Sequence, residues 1–450
     1  MKTARAEKKT APAGAGAVAS NSGKEQFILL VVGLWLGVSL IKFGNPVIFD
    51  RLVTPPQNFA EFIFTSWPIA WGYMLLGITA LISVPLFRTK WRKDYWPILL
   101  LAFWLFWQFL SSTRTVSKPL TSATLPHFVG CVVSFVLGCW ALSRVRLGGF
   151  FWTPVLLAFF YVLFSGFDQQ NGGLEAMRKS FYEQPNWQSY PKEYLQKMNS
   201  NRIFATFVYP NAFAGAIILL LPAALWQCWD LSRKWPRIAR GVLLGIFGYL
   251  ALACLYWTGS KGGWLIALLM IGLCFLHLEF SPKLKVILLT AGLVLGLTAF
   301  FVRFSGYFQK GATSVGARFT YWSAAWETTR ANPVFGSGPG TFSVPYARIK
   351  APEAEMAKLA HNDYLEQFSD SGILGGLSVA GFIFLYLGIL YRTARTQGWG
   401  AFAIWLGLVG WAAQSFIEFG LYIPGTAWVV FLFFGWLWGL KEENGIQSKT

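Results

Sequence analysis

Apolar runs of about 20 residues recur along almost the whole chain, and a run of that length, wound as a helix, matches the hydrocarbon thickness of a bilayer. They fall at roughly 26–43, 67–87, 96–112, 126–143, 149–165, 208–227, 239–257, 262–279, 284–302, 373–391, 400–419 and 424–440. The fold expected is all-α: a polytopic integral membrane protein with about twelve transmembrane helices. Composition agrees, since 55% of the 450 residues are hydrophobic, 18% aromatic and only 13% charged, which no soluble globular domain matches. A formal charge of +18 would suggest nucleic acid in a soluble protein. Here no basic stripe lies on a soluble domain, and short loops between spans account for the charge, so no nucleic-acid partner is expected. The five cysteines (Cys131, Cys139, Cys228, Cys254, Cys274) fall in or beside apolar runs without CxxC spacing and read as small core residues.

Residues 1–25 are rich in Ala, Gly, Ser and Lys and are expected to form a disordered basic cytoplasmic tail. The run that follows is too long for a signal-peptide core and ends in Lys42-Phe-Gly-Asn-Pro46 without a small-x-small cleavage site, so a retained helix is expected. With the N-terminus inside, the inner loops are RTKWRKD (88–94), RVR (144–146), CWDLSRKWPRIAR (228–240), PKLK (282–285) and YRTAR (391–395). Each is short and basic, while the opposite short loops carry few cations: Arg51, Arg114, Lys118 and Lys261. This pattern places both termini in the cytoplasm and both long loops, 166–207 and 303–372, outside. The expected organisation is therefore tail 1–25, spans 26–165, first outer loop 166–207, spans 208–302, large outer loop 303–372, spans 373–441 and a cytoplasmic tail 442–450.

Polar chemistry gathers in those two loops. In the first, Leu174–Tyr182 and Lys192–Met198 read as short amphipathic surface helices with interfacial aromatics. Beyond them Arg202 leads into Tyr209-Pro-Asn-Ala212, where Pro210 starts a span and Asn211 is placed to cap its first turn. Between the seventh and eighth runs lies a tight turn, Trp257-Thr-Gly-Ser-Lys-Gly-Gly-Trp264. Its glycines admit close backbone approach, and Lys261 adds a full charge where helix N–H groups favour an anion. In the large loop Arg318, Trp322, Ala325 and Thr329 share a helix face. Asn332-Pro-Val-Phe-Gly-Ser-Gly-Pro-Gly-Thr-Phe342 then makes a glycine-rich turn. Asn362 or its neighbour caps a helix carrying Asp363, Leu365, Glu366 and Phe368. His361 thus stands at a helix start beside the membrane surface, where a histidine can act as a neutral base. His127 and His277 read as structural.

Taken together, Arg202 with Asn211, Ser260-Lys261-Gly262, the Arg318 helix with Asn332-Pro-Val-Phe-Gly-Ser-Gly-Pro-Gly340, and His361-Asn-Asp-Tyr-Leu365 with Ser371-Gly-Ile-Leu-Gly375 resemble the O-antigen ligase / Wzy-type polysaccharide polymerase superfamily. Its members are polytopic bacterial inner-membrane glycosyltransferases with a large periplasmic loop late in the chain. The motifs cover roughly residues 200–390. The resemblance implies transfer of a glycan from a polyprenyl-diphosphate carrier to an acceptor hydroxyl on the periplasmic face, by inversion and without a metal or other cofactor. It implies His361 as base and Arg318 as a catalytic cation. Lys261, Arg202, Ser260, Asn211, Asn362 and Asp363 are the candidate substrate-binding residues, with Asp363 and Glu366 near enough in sequence to orient the histidine or a sugar. Where this family often has arginine after the serine of the turn, this chain has Lys261, which keeps the charge but gives up bidentate phosphate binding. The acceptor stays open between lipid, growing polysaccharide and protein, so ligase, polymerase and protein oligosaccharyltransferase are alternatives sharing one donor. A transporter or flippase of lipid-linked glycan is the alternative outside enzymes. Against it, the spans hold almost no charge at depth, where transport sites normally lie.

Overall fold

The computed structural model describes residues 21–87, 96–190, 192–309 and 313–447, and all of its regular structure there is helical. In chain order the α-helices are α1 (Gly23–Lys42), α2 (Phe59–Phe64), α3 (Ile69–Ser83), α4 (Trp96–Ser112), α5 (Lys118–Trp140), α6 (Gly149–Asp168), α7 (Leu174–Tyr182), α8 (Lys192–Met198), α9 (Pro210–Leu231), α10 (Arg237–Trp257), α11 (Lys261–His277), α12 (Pro282–Gln309), α13 (Thr313–Ala331), α14 (Ser343–Ile349), α15 (Asp363–Thr396), α16 (Trp399–Gln414) and α17 (Pro424–Gln447). Eight helical stretches of 18 residues or more are apolar enough to cross a membrane, and the shorter apolar helices in α4 and α11 add two candidates. Every run identified in the sequence coincides with a helix. The two surface helices of the first long loop, α7 and α8, have the expected bounds.

Several boundaries differ, each for a local reason. Residues 1–20 of the expected tail and the basic loop 88–94 lie outside the described residues, but the helix already starts at Gly23. A capping box starts it there: Ser22 accepts from the Glu25 amide, and Glu25 accepts from the Ser22 amide at 2.7 Å. The C-terminal helix likewise runs through most of the expected tail to Gln447. Helix α5 begins eight residues before the expected Pro126, which it tolerates in its interior. Expected to run to 419, α16 stops at Gln414. The carbonyls that would continue it are taken from outside: Asp363 N donates to Ser415 O (2.8 Å) and Glu418 O (3.1 Å), and Arg318 Nε to Ile417 O (3.1 Å). Residue 418 is thereby released into a turn.

The core lies between α5 and α17, α1 and α6, α9 and α16, and α4 and α15. Helices α5 and α17 touch backbone to backbone. A Cβ on Gly138 would stand 2.1 Å from Leu432 O and one on Gly435 2.0 Å from Phe135 O, the small-residue packing that membrane helices favour. A buried polar seam ties α4 to α15: Trp104 Nε1 and Gln108 Nε2 both donate to Gln367 Oε1, at 2.8 and 3.1 Å, and Gln108 also reaches Ser371 Oγ at 3.0 Å. The glycine-rich turn is held by Asp370, whose carboxylate accepts from Gly340 N (2.6 Å), Thr341 N (3.2 Å) and Tyr422 OH (2.7 Å).

Between its polar first turns and its apolar remainder, α15 kinks at Ser371-Gly372, where Gly372 takes φ 69° and ψ −172°. That backbone region is essentially reserved for glycine, and a Cβ there would lie 2.3 Å from Val334 O. Gly372→Ala is expected to destabilise the protein by about 1–3 kcal/mol from the backbone alone. A thermal midpoint in detergent unchanged from wild type would remove this account of the kink.

Candidate active site

Six elements bring polar side chains to the end of the bundle that carries the long loops. Helix α13 delivers Arg318, the segment before α15 delivers His361, and the first turn of α9 delivers Asn211. The loop before α9 carries Arg202, the start of α11 carries Lys261, and the turn after α16 carries Glu418. At the centre is Glu418, whose side chain is 4% exposed. Its Oε1 accepts from Arg318 (2.5 Å) and from Asn211 Nδ2 (2.6 Å), while its Oε2 faces His361 Nδ1 at 3.2 Å. Behind Asn211, Arg202 donates to Asn211 Oδ1 and to Thr258 O, both at 2.6 Å. One continuous network thus runs from Arg202 through Asn211 and Glu418 to Arg318 and His361.

Electrostatics follow from that arrangement. Burial alone would push the Glu418 carboxyl up, but His361, Arg318 and Asn211 outweigh it and hold the group below the ordinary glutamate range. It is therefore a carboxylate. A carboxylate oxygen can only accept, so His361 Nδ1 donates to Glu418 Oε2, and in the neutral ring Nε2 is then the atom that holds the lone pair. The imidazole is fixed by more than Glu418. Its ring lies between Tyr321 (centroids 5.9 Å) and Phe419 (4.8 Å), and Trp322 Nε1 reaches the His361 carbonyl at 3.4 Å. The backbone of His361 is left-handed, φ 51°, a strained conformation for a residue with a Cβ. Side-chain exposure of 25% leaves the ring reachable from outside the bundle.

Burial lowers the Arg202 guanidinium, Glu418 offsets this, and Arg318 lowers it further. Arg202, Arg303 and Arg318 all act by charge on Lys261. The amine of Lys261 sits over the Tyr307 ring (3.8 Å) and the Phe304 ring (5.3 Å), cation–π contacts that leave its donors uncommitted among the described residues. Three arginines within electrostatic reach of Lys261, with Glu418 set against Arg318 and Arg202, leave an excess of positive charge suited to an anion.

The remaining sequence candidates turn inward. Ser260 accepts from Gly263 N as the cap of α11, and Asn362 caps α15 through Leu365 N. Asp363 is buried and accepts from Leu421 N at 3.0 Å. Glu366 accepts from Ala360 N. Neither acid beside His361 in sequence holds its ring; Glu418, 57 residues away, does. Asn211 bridges Arg202 and Glu418 instead of capping α9, whose N-cap is Tyr209. His127 is buried with Nε2 2.7 Å from Leu421 O, and His277 stacks on Phe402 at 3.7 Å. No group of three or more His, Cys, Asp or Glu is placed to hold a metal among the described residues. The residue missed from sequence is Glu418. Its signal was present: it is the single charged residue between Arg395 and Lys441.

Residues 246–380 match the family described as Wzy_C, O-antigen ligase. That segment contains Lys261, Arg303, Arg318 and His361, while Arg202, Asn211 and Glu418 lie outside it. An uncharacterized protein of Haemophilus influenzae is 30% identical over 162 residues, covering 30% of this chain and 40% of its own length.

Proposed function

We infer, for a chain that belongs to the O-antigen ligase / Wzy-type superfamily, that it transfers a glycan from a polyprenyl-diphosphate carrier to an acceptor hydroxyl on the periplasmic face of the inner membrane, as an O-antigen ligase does. The observation that carries this reading is the His361–Glu418 pair set within the Arg202, Lys261 and Arg318 cations. His361 Nε2 removes the proton of the acceptor hydroxyl as its oxygen attacks the anomeric carbon. The bond from that carbon to the phosphate oxygen breaks with inversion, and the electron pair leaves on the polyprenyl diphosphate. Cations standing where that charge develops stabilise the transition state. The proton ends on His361 as an imidazolium facing Glu418, and passes to solvent on release of product.

Among the cations, roles divide. Arg318 commits three of its five N–H donors to Glu418, Ile417 O and, at 3.3 Å, Ser314 O, so it fixes the carboxylate as well as contributing field. Among the described residues the amine of Lys261 rests on aromatic faces and makes no ion pair, which suits it to bind phosphate directly. Reconstituted protein with a purified polyprenyl-diphosphate glycan tests the function: a lengthened lipid-linked product means polymerase, and a glycan moved to lipid or protein means ligase or oligosaccharyltransferase. No product of either kind overturns the reading. In that assay Arg318→Ala is expected to lose about 10²–10³-fold in rate and Arg318→Lys less. Equal activity in all three forms would leave Arg318 a lipid anchor.

A further inference from the structure

Aromatic side chains of the first long loop gather into one cluster. Tyr190 and Tyr194 stack with ring centroids 5.0 Å apart and planes 24° from parallel, and Phe181 packs against both, at 5.3 and 5.6 Å. Tyr182 meets Phe181 at 5.2 Å and Trp187 edge-on at 5.0 Å. Phe181 is buried as the floor of the cluster, whereas Tyr194 is 42% exposed. Two side chains brace it. Arg178 donates to Met198 O and Ser200 O, both at 3.1 Å, and to Asn201 Oδ1 at 2.6 Å, while Tyr182 OH donates to Asn199 Oδ1 at 3.0 Å. The rings are therefore set in place before any ligand arrives.

Helix α8, which carries Tyr194, also lies close to the catalytic residues. Lys197, one turn beyond Tyr194, has its amine 3.7 Å from Glu355 Oε1 and over the Tyr209 ring at 5.9 Å. Tyr209 in turn meets Phe419 edge-on at 5.2 Å, and Phe419 meets His361 at 4.8 Å. Only a few side chains separate the ring cluster from the base. Its composition is not that of a lipid-facing surface. Helix α2 shows the contrast, since it exposes Phe59, Phe62, Ile63 and Phe64, which carry no polar side-chain atom and suit an interface with lipid. Between 165 and 207, Tyr194 is the one large hydrophobic side chain exposed among the described residues, and Glu183, Gln184, Asn186 and Gln188 are exposed in the same loop. A flat ring face set among hydroxyl, amide and carboxylate groups matches a pyranose, which has C–H groups on its face and hydroxyls around its rim.

We propose that the Tyr190–Tyr194 pair is a stacking subsite for a sugar ring of the glycan, one lying beyond the sugar whose bond changes at His361. This rests on the glycan-transfer reading above and adds to it a surface on the first long loop, apart from the cations that face the diphosphate. A glycan long enough to reach Tyr194 binds more tightly than a single sugar. That extra binding is the same in ground state and transition state, so it lowers KM and leaves kcat alone. Donor and acceptor glycans share this chemistry, and loss of the ring separates them by whose KM rises.

The probe is the oligosaccharide freed by mild acid from the lipid-linked glycan of the producing cells. Its binding to the full chain in nanodiscs, read by native mass spectrometry, tests the subsite without any transfer step. Tyr194→Ala is expected to weaken binding about five- to tenfold and to leave the thermal midpoint unchanged, because its ring stands at the surface. Tyr194→Phe keeps the ring and is expected to keep most of the binding. Phe64→Ala, which removes an exposed ring from α2, is expected to change nothing. Wild-type binding in both Tyr194→Ala and Tyr190→Ala overturns the proposal, as does a loss of the same size in Tyr194→Phe or Phe64→Ala. Unchanged glycan binding in a Tyr194→Ala protein that comes away from its lipid would make the cluster a lipid anchor and overturn it too. In the transfer assay Tyr194→Ala is expected to raise KM for a glycan of several sugars by the same factor, with kcat and use of a polyprenyl-diphosphate monosaccharide unchanged. An equal rise for the monosaccharide also overturns the subsite. Glycan binding that depends on Tyr194 in a chain that transfers nothing sinks the transfer reading alone. Transfer and binding that both ignore Tyr194→Ala and Tyr190→Ala sink only the subsite.

Discussion

His361→Asn is expected to slow glycan transfer about 10²–10⁴-fold, the usual contribution of a positioned general base, with little change in membrane insertion or thermal midpoint. Asparagine is the informative replacement. The backbone at position 361 is left-handed, which asparagine tolerates better than other non-glycine residues, so a lost rate is not a lost fold. His361→Ala removes the same base but adds backbone strain, and the two are expected to be equally inactive. Imidazole added to the alanine variant is expected to restore part of the rate, because the space between Tyr321 and Phe419 is then open to it. Transfer by His361→Asn within a few-fold of wild type, with purified polyprenyl-diphosphate glycan, would remove the base assignment. The cations would then carry the reaction alone.

How the site was and was not readable follows from the periods that sequence exposes. Helical spans announce themselves because burial in hydrocarbon demands about 20 apolar residues in a row, and α3, α9 and α10 lie within three or four residues of where those runs fall. Caps are legible for a local reason too: an Asn side-chain oxygen accepts from an unpaired first-turn amide, and that of Asn362 accepts from Leu365 N as expected. Contacts between segments far apart have no period. Nothing local distinguishes Glu418 as the partner of His361 over Asp363 or Glu366, which sit two and five residues away. Those nearer acids are drawn inward by amides of the Leu421 turn and of Ala360, and α16 ends early because Asp363 and Arg318 take its last carbonyls. A lone acid in an otherwise uncharged stretch of 45 residues, from Thr396 to Leu440, is the one clue, since an ionised group near hydrocarbon implies a partner.

Glu418 separates structure from chemistry more sharply than any other residue, through two substitutions. Glu418→Ala leaves Arg318, Asn211 and His361 facing a void, and breaking a buried pair by removing one partner costs about 3–5 kcal/mol. Both stability and transfer are expected to fall. Glu418→Gln keeps the volume and an oxygen for Arg318 and Asn211 to donate to, but presents an amide N–H₂ to His361 Nδ1. Nδ1 must then accept, the ring hydrogen moves to Nε2, and the atom that should take the acceptor's proton already carries one. Transfer is expected to fall about 10²–10⁴-fold with a much smaller drop in thermal midpoint than in Glu418→Ala. Linkage gives an independent check outside activity. The folded-state carboxyl of Glu418 lies below its ordinary range, so its charge stabilises the fold above that range, and the stabilisation is lost as pH falls through the depressed value. The gap in stability between wild type and Glu418→Gln should therefore be constant near neutral pH and close on acidification. If instead the gap is the same at every pH, the carboxylate is not ionised in the folded protein. If Glu418→Gln transfers glycan at the wild-type rate, His361 does not depend on Glu418 for its tautomer, and the base is oriented by the rings of Tyr321 and Phe419 and the Trp322 contact to its backbone.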